Sequence, residues 1–404
     1  MSFRNWRILA VVMLMWGGLV ACNGETGRSR PATGRGAELA QRLLLIDTHV
    51  DIPYRLEEGM RDISGPVEEF NFDLPRARRG GLDVPFMSIY IPARHQRTGD
   101  AMAVADRLLD MMDGILSEHP DHFRKVISSE QVRALPAGIV GMAFGMENGA
   151  PLQDLAALQH FFERGIRYVT LTHGEDNHIC DSSYDKARTW KGLSPYGREL
   201  VREMNRTGMM IDVSHVSDDT FYQVLEGTAA PVIASHSSCR HFTPGWERNM
   251  DDDMIRALAE NGGVIQINFG SAFLTAEAQQ QSNEFWTARS AYLDEHGYPE
   301  GGAEADAFRD SYWDSRTKLF ATVADVADHI DHVVELVGID HVGFGSDFDG
   351  VGDSLPVGLK SVADYPALLD ELLRRGYTED ELEKVAGGNL LRVWSRVERL
   401  AEAG

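Results

Sequence analysis

A chain of 404 residues has room for one large domain or two ordinary ones, and 43% apolar with 25% charged residues is the usual balance of a soluble globular core. Its 62 acidic against 39 basic side chains leave a net charge of −23, which argues against nucleic acid or an anionic membrane face as partner and otherwise bears on solubility.

At the N terminus Arg4 and Arg7 precede an apolar run from Ile8 to Val20, too short to span a bilayer and of the kind found in secretory signals. Leu19-Val20-Ala21-Cys22 resembles the lipobox of bacterial lipoproteins, so residues 1–21 are expected to be removed and Cys22 to carry lipid. Asn23 is not the aspartate associated with inner-membrane retention. The expectation is an exported bacterial lipoprotein, anchored in the outer membrane and facing the periplasm. Residues 22–38, rich in Gly, Arg, Ser and Thr, have little to bury and read as a tether, leaving 39–404 as a single domain. Only Cys180 and Cys239 then remain, weak evidence for a disulfide.

The folded region opens on Leu43-Leu44-Leu45-Ile46-Asp47-Thr48-His49-Val50-Asp51, an apolar run that ends in carboxylates around an imidazole. Such a run reads as a strand buried on both faces, and alternation puts His49 and Asp51 on one side, with Asp47 sharing it. Seven further apolar, β-branched-rich runs follow, at 83–91, 139–145, 168–172, 209–213, 231–234, 263–269 and 341–345. Helical spacing lies between them. Residues 100–118 carry a stripe of Ala103, Leu108, Met111, Met112 and Ile115, and residues 364–375 carry Leu368, Leu369, Leu372 and Leu373. Eight strands alternating with helices predict an α/β fold, a closed (β/α)8 TIM-type barrel. Residues 271–320 break the rhythm and read as a long, partly helical insertion after the seventh strand, overhanging the barrel mouth. There is no internal repeat beyond this alternation.

Active sites of such barrels lie at the C-terminal ends of the strands. The residues there are His49 and Asp51 after the first strand, Glu147 after the third, His173, His215 and His236 after the fourth, fifth and sixth, and Asp347 with Asp349 after the eighth. So many imidazoles and carboxylates at one rim would repel and resist desolvation unless cations neutralise them. His49 with Asp51 and His215 with His236 form two grips, and Glu147 can give one oxygen to each of two ions. The six lysines, Lys125, Lys186, Lys191, Lys318, Lys360 and Lys384, end no strand, so a carboxylate bridge is favoured over a carboxylated lysine.

These residues resemble the membrane dipeptidase, or renal dipeptidase, family of binuclear zinc peptidases. The matching motifs are Asp47-Thr48-His49-Val50-Asp51, Gly145-Met146-Glu147-Asn148-Gly149, Leu171-Thr172-His173, Asp212-Val213-Ser214-His215-Val216-Ser217, Val232-Ile233-Ala234-Ser235-His236-Ser237-Ser238, Arg248-Asn249-Met250-Asp251-Asp252 and Gly343-Phe344-Gly345-Ser346-Asp347-Phe348-Asp349-Gly350. They run in order from about Leu45 to Val397. The resemblance implies that His49, Asp51 and Glu147 hold one zinc and that Glu147, His215 and His236 hold the other. It also implies that His173 steadies the oxyanion, Arg248 binds the substrate's terminal carboxylate and Asp347 handles protons. The paired cysteines and C-terminal lipid-anchor signal of vertebrate members are missing, and 271–320 is expanded.

Chemistry supports each of these roles. Two Zn2+ sharing a water would lower its pKa and make a bridging hydroxide available, while one ion polarises the carbonyl. His173 could donate to the developing oxyanion, and Asp347 could take the water's proton and pass it to the leaving amine. A guanidinium fork at Arg248 suits a carboxylate, which with the barrel's depth would limit substrates to dipeptides, and the resemblance implies that L or D chirality is accepted in the second residue. Asp349 reads as a turn or cap residue, Cys180 and Cys239 as loop residues, and Trp190, Tyr184 and Phe242 as candidates for the mouth. Rival readings are N-acyl amino-acid deacetylation, lactone hydrolysis, or a lipoprotein that binds peptide or metal without turnover. A homodimer is left open.

Overall fold

The computed structural model describes residues 34–299 and 302–403, so the signal sequence, Cys22 and most of the tether lie outside the described residues. Nine parallel strands, β1 (Leu45–Val50), β2 (Leu82–Tyr90), β3 (Phe123–Lys125), β4 (Val140–Glu147), β5 (Ile166–Thr170), β6 (Met210–Asp212), β7 (Ile233–Ser237), β8 (Val264–Ile267) and β9 (Val342–Phe344), run in the order β2-β1-β9-β8-β7-β6-β5-β4-β3. A further pairing of β2 with β4, from Phe86 opposite Ala143 to Tyr90 opposite Glu147, closes eight of them into a barrel. Every strand expected from the sequence is present. The ninth, β3, pairs only with β4 outside the ring, and its charged Phe-Arg-Lys carries no buried-strand signal.

The barrel strands are buried because both faces are covered. Toward the N-terminal ends of the strands, Ile46, Val84, Phe86, Ala143, Tyr168, Met210, Ile233 and Val264 form one apolar cluster with Leu390, Val393, Trp394 and Val397 of the C-terminal helix Asn389–Glu402. That helix seals the end of the barrel opposite the predicted site. Trp394 packs on Phe86 with ring centroids 5.3 Å apart, and a fully buried side chain of this size contributes roughly 1.5–3 kcal/mol.

The two helices anticipated from spacing form at Ala101–Glu118 and Tyr365–Arg374. In the first, the buried stripe runs through Val104, Ala105, Leu108, Leu109, Met112 and Ile115, and Ala103 is exposed, because the apolar face is centred one residue later than expected. The insertion folds as helices Ser271–Leu274, Ala276–His296 and Ala303–Asp314. Its first turn is tied to the barrel mouth, where Phe273 packs on Trp246 with centroids 4.9 Å apart, and its last residues are tied to the loop after β9 through Lys318 and Asp353 at 2.7 Å. Among the described residues no helix is long and apolar enough to cross a membrane. Cys180 and Cys239 are both free and buried.

Asp47 departs from simple alternation. Its carboxylate accepts the backbone N–H of Ser346 at 2.9 Å and of His49 at 3.1 Å, together with the hydroxyls of Ser346 and Tyr365. It therefore ties β1 to the turn after β9 instead of facing the site with His49. The cause is an irregularity in the β1–β2 register between Asp47 and Val50, which breaks the two-residue period.

Candidate metal centre

The strand ends converge on Glu147, the last residue of β4. Glu147 Oε1 lies 3.1 Å from His215 Nε2 and 3.2 Å from His236 Nε2, while Oε2 lies 3.6 Å from His49 Nε2. Asp51 Oδ2 is 3.4 Å from the same His49 nitrogen, and Asp347 shares a cluster with His49 and Asp51. His173 Nε2 is 3.6 Å from Glu147 Oε1, at the more open side of the group. All five predicted ligands are buried, as is Asp347.

Backbone and neighbouring groups aim these side chains. Among non-glycine residues with positive φ are His215 at 69°, Asp347 at 62°, Asn148 at 79° and Asp349 at 69°, all at or beside the centre. Such conformations cost of order 1 kcal/mol or more and persist where surrounding structure enforces them. Two glycines are required by close approach. A Cβ on Gly145 would stand 2.0 Å from the Tyr168 ring, and one on Gly350 would stand 2.2 Å from both Asp347 Oδ1 and Asp51 Oδ2.

The hydrogen bonds assign two imidazole tautomers. The Tyr168 hydroxyl donates to Thr48 O at 2.9 Å, so its oxygen accepts from His49 Nδ1 at 2.9 Å and leaves Nε2 directed at the carboxylates. The Ser235 hydroxyl donates to Asp212 Oδ2 at 2.6 Å and accepts from His236 Nδ1 at 2.8 Å, with the same result at His236. His215 Nε2 and His236 Nε2 then stand 2.9 Å apart beside Glu147. His236 Nε2 carries a lone pair, and a His215 nitrogen presenting another at that distance would be repelled unless a cation lay between them; tetrahedral ligands at about 2.0–2.1 Å from zinc sit about 3.3 Å from one another. His49 Nε2 is buried without a hydrogen-bond partner. The residues present fit divalent metal.

At His49 burial is outweighed by the charges of Tyr168, Asp51 and Glu147, which hold the imidazole well above its ordinary range, so that a proton there stands where a cation would; the imidazoles of His215 and His236 behave differently. Burial, and then the positive charges of nearby groups including Arg248, hold His215 well below the ordinary imidazole range, and burial with His49 and Arg248 does the same for His236, which keeps both neutral as ligands must be. Burial pushes the Glu147 carboxyl up, but the surrounding imidazoles outweigh it and draw it well below its usual value. At Asp347, burial and the charge of Asp51 push the carboxyl up to about 7.

Arg248 is buried rather than solvated. It donates to Ser237 Oγ at 2.8 Å and to His236 O at 2.8 Å, and its guanidinium lies 5.1 Å over the Phe273 ring. Tyr184 lies at the mouth, its ring 5.8 Å from that of His215. Phe242 does not, because it packs on His329 and His332, and Trp190 is pinned by its indole N–H to Asn177 O at 2.7 Å. Asp349 accepts the backbone N–H groups of Asn71 and Phe72, a structural role. Sequence reading missed Asn268, which donates to Asp347 Oδ2, and the orienting groups Tyr168, Ser235 and Asp212. Asp212 and Ser235 stand inside the quoted motifs, whereas Tyr168 reads as an ordinary strand aromatic.

A closed parallel barrel with this rim of imidazoles and carboxylates defines a metal-dependent hydrolase. Residues 34–404 match the family described as membrane dipeptidase (peptidase family M19). The chain is 32% identical to an uncharacterized dipeptidase of Schizosaccharomyces pombe, over 92% of this chain and 84% of that one. It is 33% identical to dipeptidase 3 of Rattus norvegicus, over 89% of this chain and 66% of the relative. Among solved structures it resembles the probable dipeptidase PvdM of Pseudomonas aeruginosa, at TM-score 0.78 and 27% identity over 91% of this chain and 98% of that one. It also resembles a metallopeptidase of Rhodobacter sphaeroides liganded with a phosphinate mimic of the dipeptide L-Ala-D-Ala, at TM-score 0.72 and 25% identity over 88% and 99% of the two chains. This chain belongs to the membrane dipeptidase family and is a hydrolase acting on dipeptides.

Proposed function

We propose that the centre holds two zinc ions, one on His49, Asp51 and Glu147 and one on Glu147, His215 and His236, and that the chain cleaves dipeptides with an L or D residue in the second position. The split of the Glu147 oxygens between two sets of imidazoles carries this reading. The phosphinate mimic of L-Ala-D-Ala held by the Rhodobacter sphaeroides relative supports the D chirality. When bound, the cations would acidify a water and polarise the scissile carbonyl.

The side chains supply the rest. His173, the least buried of the four imidazoles, stands at the open side of Glu147, where it can donate to the oxygen on which charge develops. Asp347, poised near neutrality, takes the proton released by the attacking water and returns it to the leaving amine, so no net proton is lost from the site. Arg248 is clamped by Ser237 and His236 O and keeps further N–H groups for a free terminal carboxylate. That grip, one residue from the cut, limits substrate length.

Elemental analysis paired with a substrate panel tests the proposal. About two equivalents of zinc per chain, rapid cleavage of dipeptides of both chiralities and no cleavage of tripeptides are expected. Tripeptide cleavage would remove the length rule, and preference for N-acetylated amino acids would favour deacetylation instead. Export as a periplasm-facing outer-membrane lipoprotein through Cys22 is part of the same proposal, supported by the lipobox-like sequence. Labelling with radioactive palmitate, lost in Cys22→Ser, tests it.

A further inference from the structure

Away from Glu147, three separate elements bring metal-ligating atoms together. His241 lies in the short turn of 3-10 helix Arg240–Phe242 after β7, Asp252 begins the helix Asp252–Glu260, and His332 sits midway along the helix Val323–Val337. One ring nitrogen from each histidine and one Asp252 oxygen all lie within 4.8 Å of one another. His332 Nε2 is 2.8 Å from Asp252 Oδ1, and the His241 ring stacks on the His332 ring with centroids 4.5 Å apart and 27° between planes.

The surroundings suit a cation. Phe242 packs edge-on against both imidazoles, with centroids 4.9 and 5.6 Å away, and gives the pair an apolar backing. The open side faces a surface depression of about 600 Å³ lined by Gly245, Asp251, Asp253, Arg240 and Arg256, which leaves room for water ligands, its other two carboxylates being matched by the arginines. The nearest arginines are engaged, Arg240 with Asp218 and Arg256 with Asp253. A hydrogen bond to Asp252 accounts for His332. His241 has no side-chain hydrogen-bond partner among the described residues and is held by its ring contacts with His332 and Phe242.

We propose that His241, Asp252 and His332 form a second, peripheral site for a transition cation of the zinc class, completed by water. Two imidazoles and one carboxylate suit zinc, cobalt or nickel better than calcium or magnesium, which prefer all-oxygen shells. Ligand atoms about 3.3 Å apart around zinc require the His332–Asp252 contact to open by about half an ångström and His241 to close in, within the reach of partly exposed side chains. An ion there would tie the segment after β7, which also carries Arg248, to the helix Val323–Val337.

Titration of the enzyme already carrying its full catalytic complement tests the site, with Zn2+ followed by calorimetry and Co2+ by visible absorption. One further equivalent per chain is expected, with a Co2+ d–d band. His241→Ala and His332→Ala, and separately Asp252→Asn, should each weaken that equivalent at least about tenfold while the metal bound at Glu147 and dipeptide turnover stay unchanged. Absence of any further equivalent overturns the proposal. So does a further equivalent whose affinity none of the three substitutions alters, as scattered surface carboxylates would give.

Discussion

Asn268 donates its side-chain amide to Asp347 Oδ2 at 2.7 Å, so the carboxylate proposed to carry protons is oriented from the residue that follows β8. A hydrogen bond to a charged group is worth about 1.5–3 kcal/mol. Asn268→Ala should therefore lower kcat by about tenfold to a hundredfold with metal content unchanged, as steady-state kinetics and elemental analysis would show.

Orientation of the ligands from behind leads to a different signature. Tyr168→Phe removes the acceptor for His49 Nδ1, and Asp212→Asn disturbs the acceptor of the Ser235 hydroxyl behind His236. Each should weaken metal binding by about ten- to a hundredfold, measured by competition with a chromophoric chelator, and activity should return at saturating zinc.

Gly350→Ala places a methyl group 2.2 Å from carboxylate oxygens of both Asp51 and Asp347. Metal on the His49 side should be lost and turnover should fall at least about a hundredfold, since positioning of catalytic groups carries contributions of this size. Circular dichroism should show an intact barrel.

Arg248→Met should cut kcat/KM about a hundredfold for dipeptides with a free C terminus, the loss of a charge-assisted pair. Dipeptide amides should be nearly indifferent to the change. An equal loss on both substrates would mean that Arg248 matters through Ser237 and His236 O alone.

Asp83 offers a check on stability far from the chemistry. Burial raises its carboxyl from 3.8 to about 6, against the lowering effect of the Leu45 N–H that it accepts at 2.9 Å. The folded state thus holds a proton more firmly than the unfolded one. Asp83 contributes stability that is present below about pH 4 and lost as pH rises through about 6. Asp83→Asn should match wild type at pH 4 and be more stable at pH 7.5 by on the order of 1 kcal/mol, after allowing for partial solvent screening, as urea titrations at the two pH values would show.

Much of this was legible in the sequence. Strands buried on both faces announce themselves as apolar runs, and the residues that end them are fixed in chain position, so His49, Glu147, His215 and His236 could be listed together. Their geometry was less accessible. The register break after Asp47 and the positive φ at His215 and Asp347 depend on neighbouring strands, so strict alternation placed Asp47 on the wrong side. Arg248 reads as a surface residue until Ser237, His236 O and Phe273 enclose it. Asn268 gives no signal of its own because its partner lies 79 positions away. His241 and His332 carry no local pattern at all, since a turn and a helix surface meet only in the folded chain.

The helix Asn389–Glu402 reaches the barrel floor from far along the chain, its Trp394 meeting Phe86 of β2. Without Trp394 and its neighbours the floor of the barrel stays wet, and the eight strands have nothing to close upon. Contacts of such long sequence separation carry a high loop-closure cost, so the floor is laid late in folding, after the strands it covers have begun to pair.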